Sequence, residues 1–124
     1  MKKLLALALL SIASLAYADP EVSRHQFTSA VVDREPTDLL SAAENLDTLY
    51  YFTELTNFQG MSVTHRWLFN DNVMAEVTFA VGGPRWRVYS SKLLQPEWDG
   101  QWQVEVVDEV GVVVSSDSLM VQID

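Results

Sequence analysis

The sequence predicts an all-β protein: an immunoglobulin-like antiparallel β-sandwich of about seven strands. Glycines and prolines separate apolar runs of strand length, and several of these runs alternate apolar and polar side chains, as half-buried strands do. Turn signals that recur every eight to twelve residues or so are typical of sandwiches. A five-stranded oligonucleotide-binding-type barrel is the alternative, but such barrels have fewer strands and usually a basic face. The predicted strands cover residues 24–32, 48–56, 62–69, 73–81, 85–91, 101–108 and 112–123.

Residues 1–18 have the pattern of a cleavable secretory signal peptide. Two lysines precede an apolar run at 4–15, and Ala-Tyr-Ala at 16–18 offers the small residues that signal peptidase recognises. The apolar run is too short for a permanent membrane helix, and no cysteine is present for lipid attachment. We therefore expect cleavage after Ala18, a periplasmic or secreted location, no membrane insertion of the mature chain, and one β-sandwich domain over 19–124.

Turn chemistry predicts how the strands connect. Asn70-Asp71-Asn72 joins the third and fourth strands, and Asn and Asp tolerate the positive φ angles of tight hairpins. A second hairpin is expected around Gly111, between the last two strands. Trp67 is expected near the centre of the core. Residues 37–45 are the one helical candidate, which we interpret as a connection.

Charge and cysteine content exclude several classes of function. The chain has 17 acidic and 8 basic residues, and loss of the two N-terminal lysines leaves 6 basic residues, a net charge of −11. Such an acidic domain is a poor partner for duplex nucleic acid or an anionic membrane. The absence of cysteine excludes disulfides, zinc-thiolate sites and cysteine nucleophiles.

No set of residues predicts catalysis or metal binding. The two histidines, His25 and His65, are far apart in the sequence, and no Gly-x-Ser-x-Gly elbow is present. His65 shares a face with apolar residues, which predicts a hydrogen-bonded histidine at the core edge. The acidic loop at 33–38 lacks the spaced oxygen ligands and glycine of a calcium loop. We therefore expect a non-enzymatic protein with no catalytic residue, metal or cofactor.

The one local anomaly is a cationic segment at 61–92. It carries four basic residues against two acidic ones, whereas the rest of the mature chain is strongly acidic. In an extended strand, Arg85, Arg87 and Tyr89 point the same way, which gives two guanidinium groups and a phenol on one face. Such a face suits an anionic glycan or an acidic part of an envelope protein. The candidate binding residues are Arg66, Arg85, Arg87, Tyr89, Lys92 and Trp98.

Two interpretations of this segment remain open. Trp98 lies between two acidic residues in a loop and is the tryptophan expected to be exposed. If it lies in a groove with Tyr89 beside the arginines, the protein is a carbohydrate- or peptidoglycan-binding module. The structural alternative is that the arginines pair across the sheet with glutamates such as Glu54, Glu76 or Glu105.

Six stretches of the chain resemble a bacterial family, DUF2914. The most specific is the run Gly-Gly-Pro-Arg-Trp-Arg-Val-Tyr-Ser-Ser-Lys at 82–92. The resemblance implies a small β domain, exported alone or attached to a membrane protein, and it brings no established activity and no catalytic residue. The other matching stretches are 26–29, 32–36, 51–55, 63–67 and 98–108.

Taken together, these features predict an exported, non-enzymatic β-sandwich that serves as an envelope interaction or accessory module through a cationic and aromatic strand. The sequence does not determine its oligomeric state. A sandwich keeps open sheet edges that can accept another strand, and the first strand, at 24–32, is the expected candidate.

Overall fold

The computed structural model describes residues 18–124; residues 1–17, which hold nearly all of the predicted signal peptide, lie outside the described part. Among the described residues there is no helix long and apolar enough to cross a membrane. A 3₁₀ turn, Pro96–Trp98, lies between two of the strands. The strands are β1 (Glu21–Thr28), β2 (Val31–Val32), β3 (Glu35–Pro36), β4 (Ala42–Glu44), β5 (Thr48–Thr56), β6 (Ser62–Phe69), β7 (Asn72–Ala80), β8 (Arg85–Leu93), β9 (Gly100–Val107) and β10 (Val113–Gln122).

Two sheets form the sandwich, which confirms the predicted fold class. The first has the strand order β1-β5-β8 and the second β4-β10-β9-β6-β7, while β2 and β3 form a small hairpin of their own. All pairings are antiparallel except that of β4 with β10. Six of the seven long strands match their predicted ranges to within two residues; the first runs from Glu21 to Thr28 and not over 24–32, because Val31 and Val32 leave the sheet and pair with β3. The short strands β2, β3 and β4 are each two or three residues long.

Both predicted hairpins are present. β6 and β7 are joined by Asn70 and Asp71, whose φ angles of 46° and 69° are the positive values that a two-residue type I′ turn needs. β9 and β10 are joined by a loop in which the Asp108 carboxylate accepts hydrogen bonds from the backbone N–H groups of Val110 and Val112. In each hairpin, short polar side chains set the turn.

The helical candidate at 37–45 is a connection, as interpreted, but it contains the short strand β4. Its start is held by the Asp38 carboxylate, which accepts hydrogen bonds from the Thr28 hydroxyl at 2.7 Å and the Ser29 backbone N–H at 2.8 Å. Its end joins the second sheet through the parallel pairing of β4 with the end of β10. These contacts to the rest of the chain replace local helical hydrogen bonds.

The core lies between the sheets and is rich in aromatic side chains. Trp67 is fully buried, as predicted, and packs edge-to-face against Trp102 with ring centroids 6.2 Å apart. Phe27 from the opposite sheet contacts the Trp67 ring at a similar distance. Where the chain crosses from β7 to β8, a Cβ on Gly82 would come 2.9 Å from the Trp86 ring, so a larger residue there would displace the ring.

Candidate binding face on the three-stranded sheet

The outward face of the β1-β5-β8 sheet carries charged side chains brought together by strand register. Arg24 of β1 and Arg87 of β8 both lie directly opposite Glu54 of the central strand β5. Arg85 is opposite Thr56, one outward position further along. Because side chains alternate between the faces of a strand, these groups share the face that points away from the core.

These residues and Glu35 of β3 form an ionic cluster, here called the outer-face cluster (Arg24, Glu35, Glu54, Arg85 and Arg87). Glu54 Oε1 accepts hydrogen bonds from Arg24 Nη1 and Arg85 Nη2, each at 3.1 Å. Glu35 accepts from Arg24 Nη2 at 2.7 Å and from Arg87 Nη1. Three guanidinium groups therefore meet two carboxylates, which leaves one net positive charge on a domain whose total is strongly negative.

Both carboxylates of the cluster are ionised at neutral pH. The hydrogen bond from Arg24, followed by that from Arg87, lowers the pKa of Glu35 to about 2. The hydrogen bond from Arg85 lowers the pKa of Glu54, with a further contribution from Arg24 and against the opposing effect of burial. The side chain of Glu54 is only 9% exposed, whereas that of Arg85 is 65% exposed. Arg85 thus retains donor groups in solvent.

The β2–β3 hairpin brings Glu35 onto this face. Its turn residues, Asp33 and Arg34, have φ angles of 53° and 64°, so the two short strands reverse tightly. The Phe52 ring lies beneath the outer-face cluster, with its centroid 4.9 Å from the Arg24 guanidinium. Phe52 is fully buried although its side chain is on the outward side of the sheet. Tyr89, which pairs with Phe52 in the register, is 45% exposed.

The structure does not bring the six candidate residues together, so the cationic segment is not one surface. Arg85, Arg87 and Tyr89 share the outward face of the three-stranded sheet, as predicted. Arg66 belongs to β6 and lies on the outward face of the other sheet, where it binds Glu76 at 2.9 Å and Glu105 at 3.0 Å. The residues are neighbours in sequence, but the chain changes sheets between β7 and β8.

Lys92 and Trp98 form a third, separate contact. Lys92 Nζ lies 5.0 Å from the centroid of the Trp98 ring. The prediction that Trp98 is exposed outside the core is wrong: it is half-buried and packs edge-to-face on Trp102 at 5.7 Å. Its carbonyl also accepts a hydrogen bond from Trp102 Nε1. A groove that combines Trp98 with Tyr89 is therefore not formed.

The structural alternative, pairing of the arginines with glutamates, is confirmed in part. Arg85 binds Glu54 as anticipated, whereas Arg87 binds Glu35, which the sequence did not suggest. Glu76 and Glu105, the other proposed partners, bind Arg66 instead.

Sequence reasoning missed Arg24 and Glu35 as members of the cluster. A pattern of period two shows which residues of one strand share a face, but it does not show which strands are neighbours. The turn at Asp33-Arg34, which brings Glu35 to this face, carries no strong sequence signal, because arginine rarely adopts the positive φ that Arg34 has here.

A neutral polar cluster (Thr53, His65, Ser90 and the Trp67 indole) lies between the two sheets, with Thr53 and Ser90 on the inner face of the three-stranded sheet and His65 and Trp67 on the facing strand β6. His65 is fully buried between the sheets, deeper than the core edge where it was predicted. Its ring nitrogens lie 2.9 Å from Thr53 Oγ1 and 2.7 Å from Ser90 Oγ, which confirms the predicted hydrogen bonding. Burial lowers the pKa of His65 to about 3, so the ring is neutral at physiological pH.

The neutral polar cluster has the composition of a serine–histidine pair but not the setting of one. His65 is fully buried and Ser90 is 7% exposed, so neither offers a substrate an accessible surface. Ser90 Oγ also accepts a hydrogen bond from Trp67 Nε1 at 3.0 Å, which makes it a structural link between β6 and β8. Within residues 18–124, no group of three or more potential ligands is placed to hold a metal ion.

The fold and this face define the class of protein as a small antiparallel β-sandwich domain with an ionic cluster on one outward face. The family model "Protein of unknown function (DUF2914)" matches residues 60–118, from two residues before β6 to the middle of β10, and confirms the resemblance to that family. No curated protein matches the chain.

Among solved structures, the chain is similar to the Pseudomonas fluorescens alkylpurine DNA glycosylase AlkC bound to DNA containing an abasic site analog. The sequence identity is 12% and the TM-score 0.48. The similarity covers 93% of this chain but only 33% of the glycosylase chain.

Proposed function

We propose that this protein is a non-enzymatic, exported domain that acts as an envelope interaction or accessory module, and that its outer-face cluster binds an acidic segment of another envelope protein. The observation that supports this most directly is the imbalance of the cluster, in which three arginines meet two glutamates on an otherwise acidic domain. Unlike charges attract, so the face with excess arginine is where an acidic partner is least repelled.

The chemistry of the exposed groups fits a carboxylate-bearing partner. Arg85 donates a hydrogen bond to Glu54, and the planar guanidinium group has further N–H donors that can bind a second carboxylate. Tyr89 offers an exposed ring on the same face, where an aliphatic or aromatic group of the partner can pack. An anionic glycan is the alternative ligand for the arginines.

The carbohydrate- or peptidoglycan-binding alternative loses its geometric support. It required Trp98 and Tyr89 in one groove, whereas Trp98 packs on the core tryptophan Trp102 and Tyr89 points outward from the sheet. What remains of this alternative is binding of an anionic glycan through the arginines alone. The exported location is part of the proposal and depends on the signal-peptide pattern of residues 1–18.

A crosslinking pull-down from envelope extract tests the proposed function. The mature chain, residues 19–124, is compared with the Arg85→Ala and Arg85→Ala/Arg87→Ala variants and with Arg66→Ala, which matches the single variant by removing one positive charge on the opposite outward face. We expect the Arg85 variants to lose a captured protein that Arg66→Ala retains, with all variants folded as judged by thermal midpoint. Equal capture by all four proteins would contradict the proposal, and release by an acidic polysaccharide but not by an acidic peptide would favour the glycan.

A further inference from the structure

The sandwich has four strands at the ends of its two sheets: β1 and β8 in the smaller sheet, and β4 and β7 in the larger one. A strand at a sheet end presents unpaired backbone N–H and C=O groups to which another strand can add. Natural proteins protect such edges with short strands, charged side chains or covering segments. The four strands differ in this protection.

Three of the four edges are protected. β1 lies beside β10, to which His25 is tied by a 2.6 Å contact between its Nδ1 and Asp117 Oδ2. The structure therefore gives no support to the expectation that the first strand is the one open to pairing. β4 is only three residues long, and β8 carries the charged side chains of Arg85, Arg87 and Lys92.

β7 has the least protection of the four. It is nine residues long, contains neither proline nor lysine, and has one ionisable residue, Glu76, whose carboxylate is held by Arg66. Val73 at its start is 56% exposed, and the inward residues Val77 and Phe79 are only half-buried because no strand lies beyond them. A long edge of this composition is suited to pairing with another strand.

We propose that β7 pairs with β7 of a second copy of this chain, in antiparallel orientation about a two-fold axis, so that two five-stranded sheets join into one of ten strands. The interface is isologous: the same strand contributes from each copy. The proposal is independent of the outer-face cluster, which lies on the other sheet.

Self-pairing about Val77 gives a favourable register. With Val77 on the two-fold axis, Glu76 lies opposite Thr78 of the second copy, so no like charges face each other. Ala75 lies opposite Phe79 of the second copy, which places a small side chain against a large one. Inward residues oppose inward residues, because antiparallel pairing about a residue preserves the alternation of faces. The half-buried side chains of β7 would then be covered.

The charge of the domain predicts how this association responds to salt. Two copies with a net charge of −11 each repel one another, while the paired strands themselves are nearly neutral. Added salt screens the repulsion and leaves strand pairing intact. The dimer should therefore form at lower protein concentration in high salt than in low salt.

The first test is the oligomeric state of the wild-type chain 19–124, by light scattering and sedimentation over a wide concentration range at low and high salt. We expect a monomer–dimer equilibrium that salt shifts toward the dimer. A chain that remains monomeric at every concentration in both buffers would overturn the proposal.

The second test identifies the strand. Because the chain contains no cysteine, Val77→Cys can form a disulfide only between two copies. Residues opposite each other in an antiparallel pair have Cα atoms about 4.5–5.5 Å apart, within the roughly 4.4–6.8 Å that a disulfide spans. We expect Val77→Cys to crosslink at least about tenfold faster than Tyr89→Cys, a matched and more exposed cysteine on the β8 edge. Equal rates would rule out β7 pairing.

Discussion

The two faces of the three-stranded sheet are built from alternating residues of the same strands, yet the inward polar side chains are neutral and hydrogen-bonded, whereas the outward ones are charged and paired. On β5, Thr53 points inward to the neutral polar cluster, and its neighbour Glu54 points outward to the outer-face cluster. Neutral groups can be buried at little cost once they are hydrogen-bonded, whereas a charge retains its solvation best on the outside. The inward groups are therefore fixed partners, whereas Arg85, the most exposed arginine of the outer-face cluster, can also bind a ligand.

Acid should destabilise the inner face first. The pKa of His65 is about 3 in the folded chain and near 6.5 when unfolded, so between these values the unfolded state binds a proton that the folded state does not. Stability is therefore full above pH 6.5 and falls as the pH is lowered toward 3, by on the order of 3 kcal/mol by about pH 4. Urea unfolding as a function of pH measures this.

Separate substitution of the two histidines shows whether His65 causes that loss of stability. His65→Gln should remove the part of the pH dependence between about 6.5 and 5 that comes from the buried ring, whereas His25→Gln leaves that ring in place and serves as the control. If His65→Gln retained the same slope, or if the His65 ring resonances titrated near 6.5, the account of the inner face would be wrong.

Removal of the Ser90 hydroxyl should have the next largest effect on stability. Ser90→Ala leaves the Trp67 indole N–H and one His65 nitrogen buried without partners, which we expect to cost about 2–3 kcal/mol. The neighbouring Ser91→Ala, on the exposed side of β8, should change stability by less than about 0.5 kcal/mol. Denaturant midpoints that agree for the two variants would refute the distinction between the faces.

Replacement of Glu54 should lower stability more than replacement of Glu76, a carboxylate on the outward face of the other sheet. The Glu54 side chain is only 9% exposed, and Glu54→Gln weakens its contacts with Arg24 and Arg85. We expect the free energy of unfolding to fall by about 1–2 kcal/mol. Glu76→Gln, whose half-exposed carboxylate binds Arg66 on the other sheet, should have a smaller effect. Thermal denaturation of both variants gives the comparison, and a larger loss in Glu76→Gln would reverse it.

The smallest effect on folding is expected for Glu35→Gln. It releases Arg24 and Arg87 from a carboxylate that is itself well exposed, so the thermal midpoint should hardly change. The amides of the β2–β3 hairpin should exchange hydrogen faster, and capture of an acidic partner should increase because two arginines become available. Unchanged exchange in this hairpin would show that Glu35 does not hold it to the sheet.

Much of this architecture follows from patterns within single strands. Alternation correctly assigns the outward direction of Arg85, Arg87 and Tyr89 and the burial of Trp67, and the turn chemistry of Asn70-Asp71 gives the first hairpin. These features depend on local conformation and hydrophobic burial, which the alternation of apolar residues and the choice of turn residues indicate within a single strand or turn.

The composition of the site depends on contacts between strands, and these were missed. Arg66 is separated from the other arginines because β7 and β8 belong to different sheets, a fact that no period-two pattern contains. Trp98 packs against Trp102 at the edge of the core and is half-buried, although its acidic neighbours in the sequence suggested that it would be exposed to solvent. The sequence likewise gives no sign that Glu35 crosses to Arg87.

The parallel pairing of β4 with β10 has a consequence for the order in which the chain folds. The β6–β7 and β9–β10 hairpins pair strands that are adjacent in sequence, so each can form early through a small loop. β4, at residues 42–44, must instead find residues 120–122 near the opposite end of the chain. The closing step of folding is thus expected to be the docking of this short strand, and until it occurs the outer side of β10 remains open.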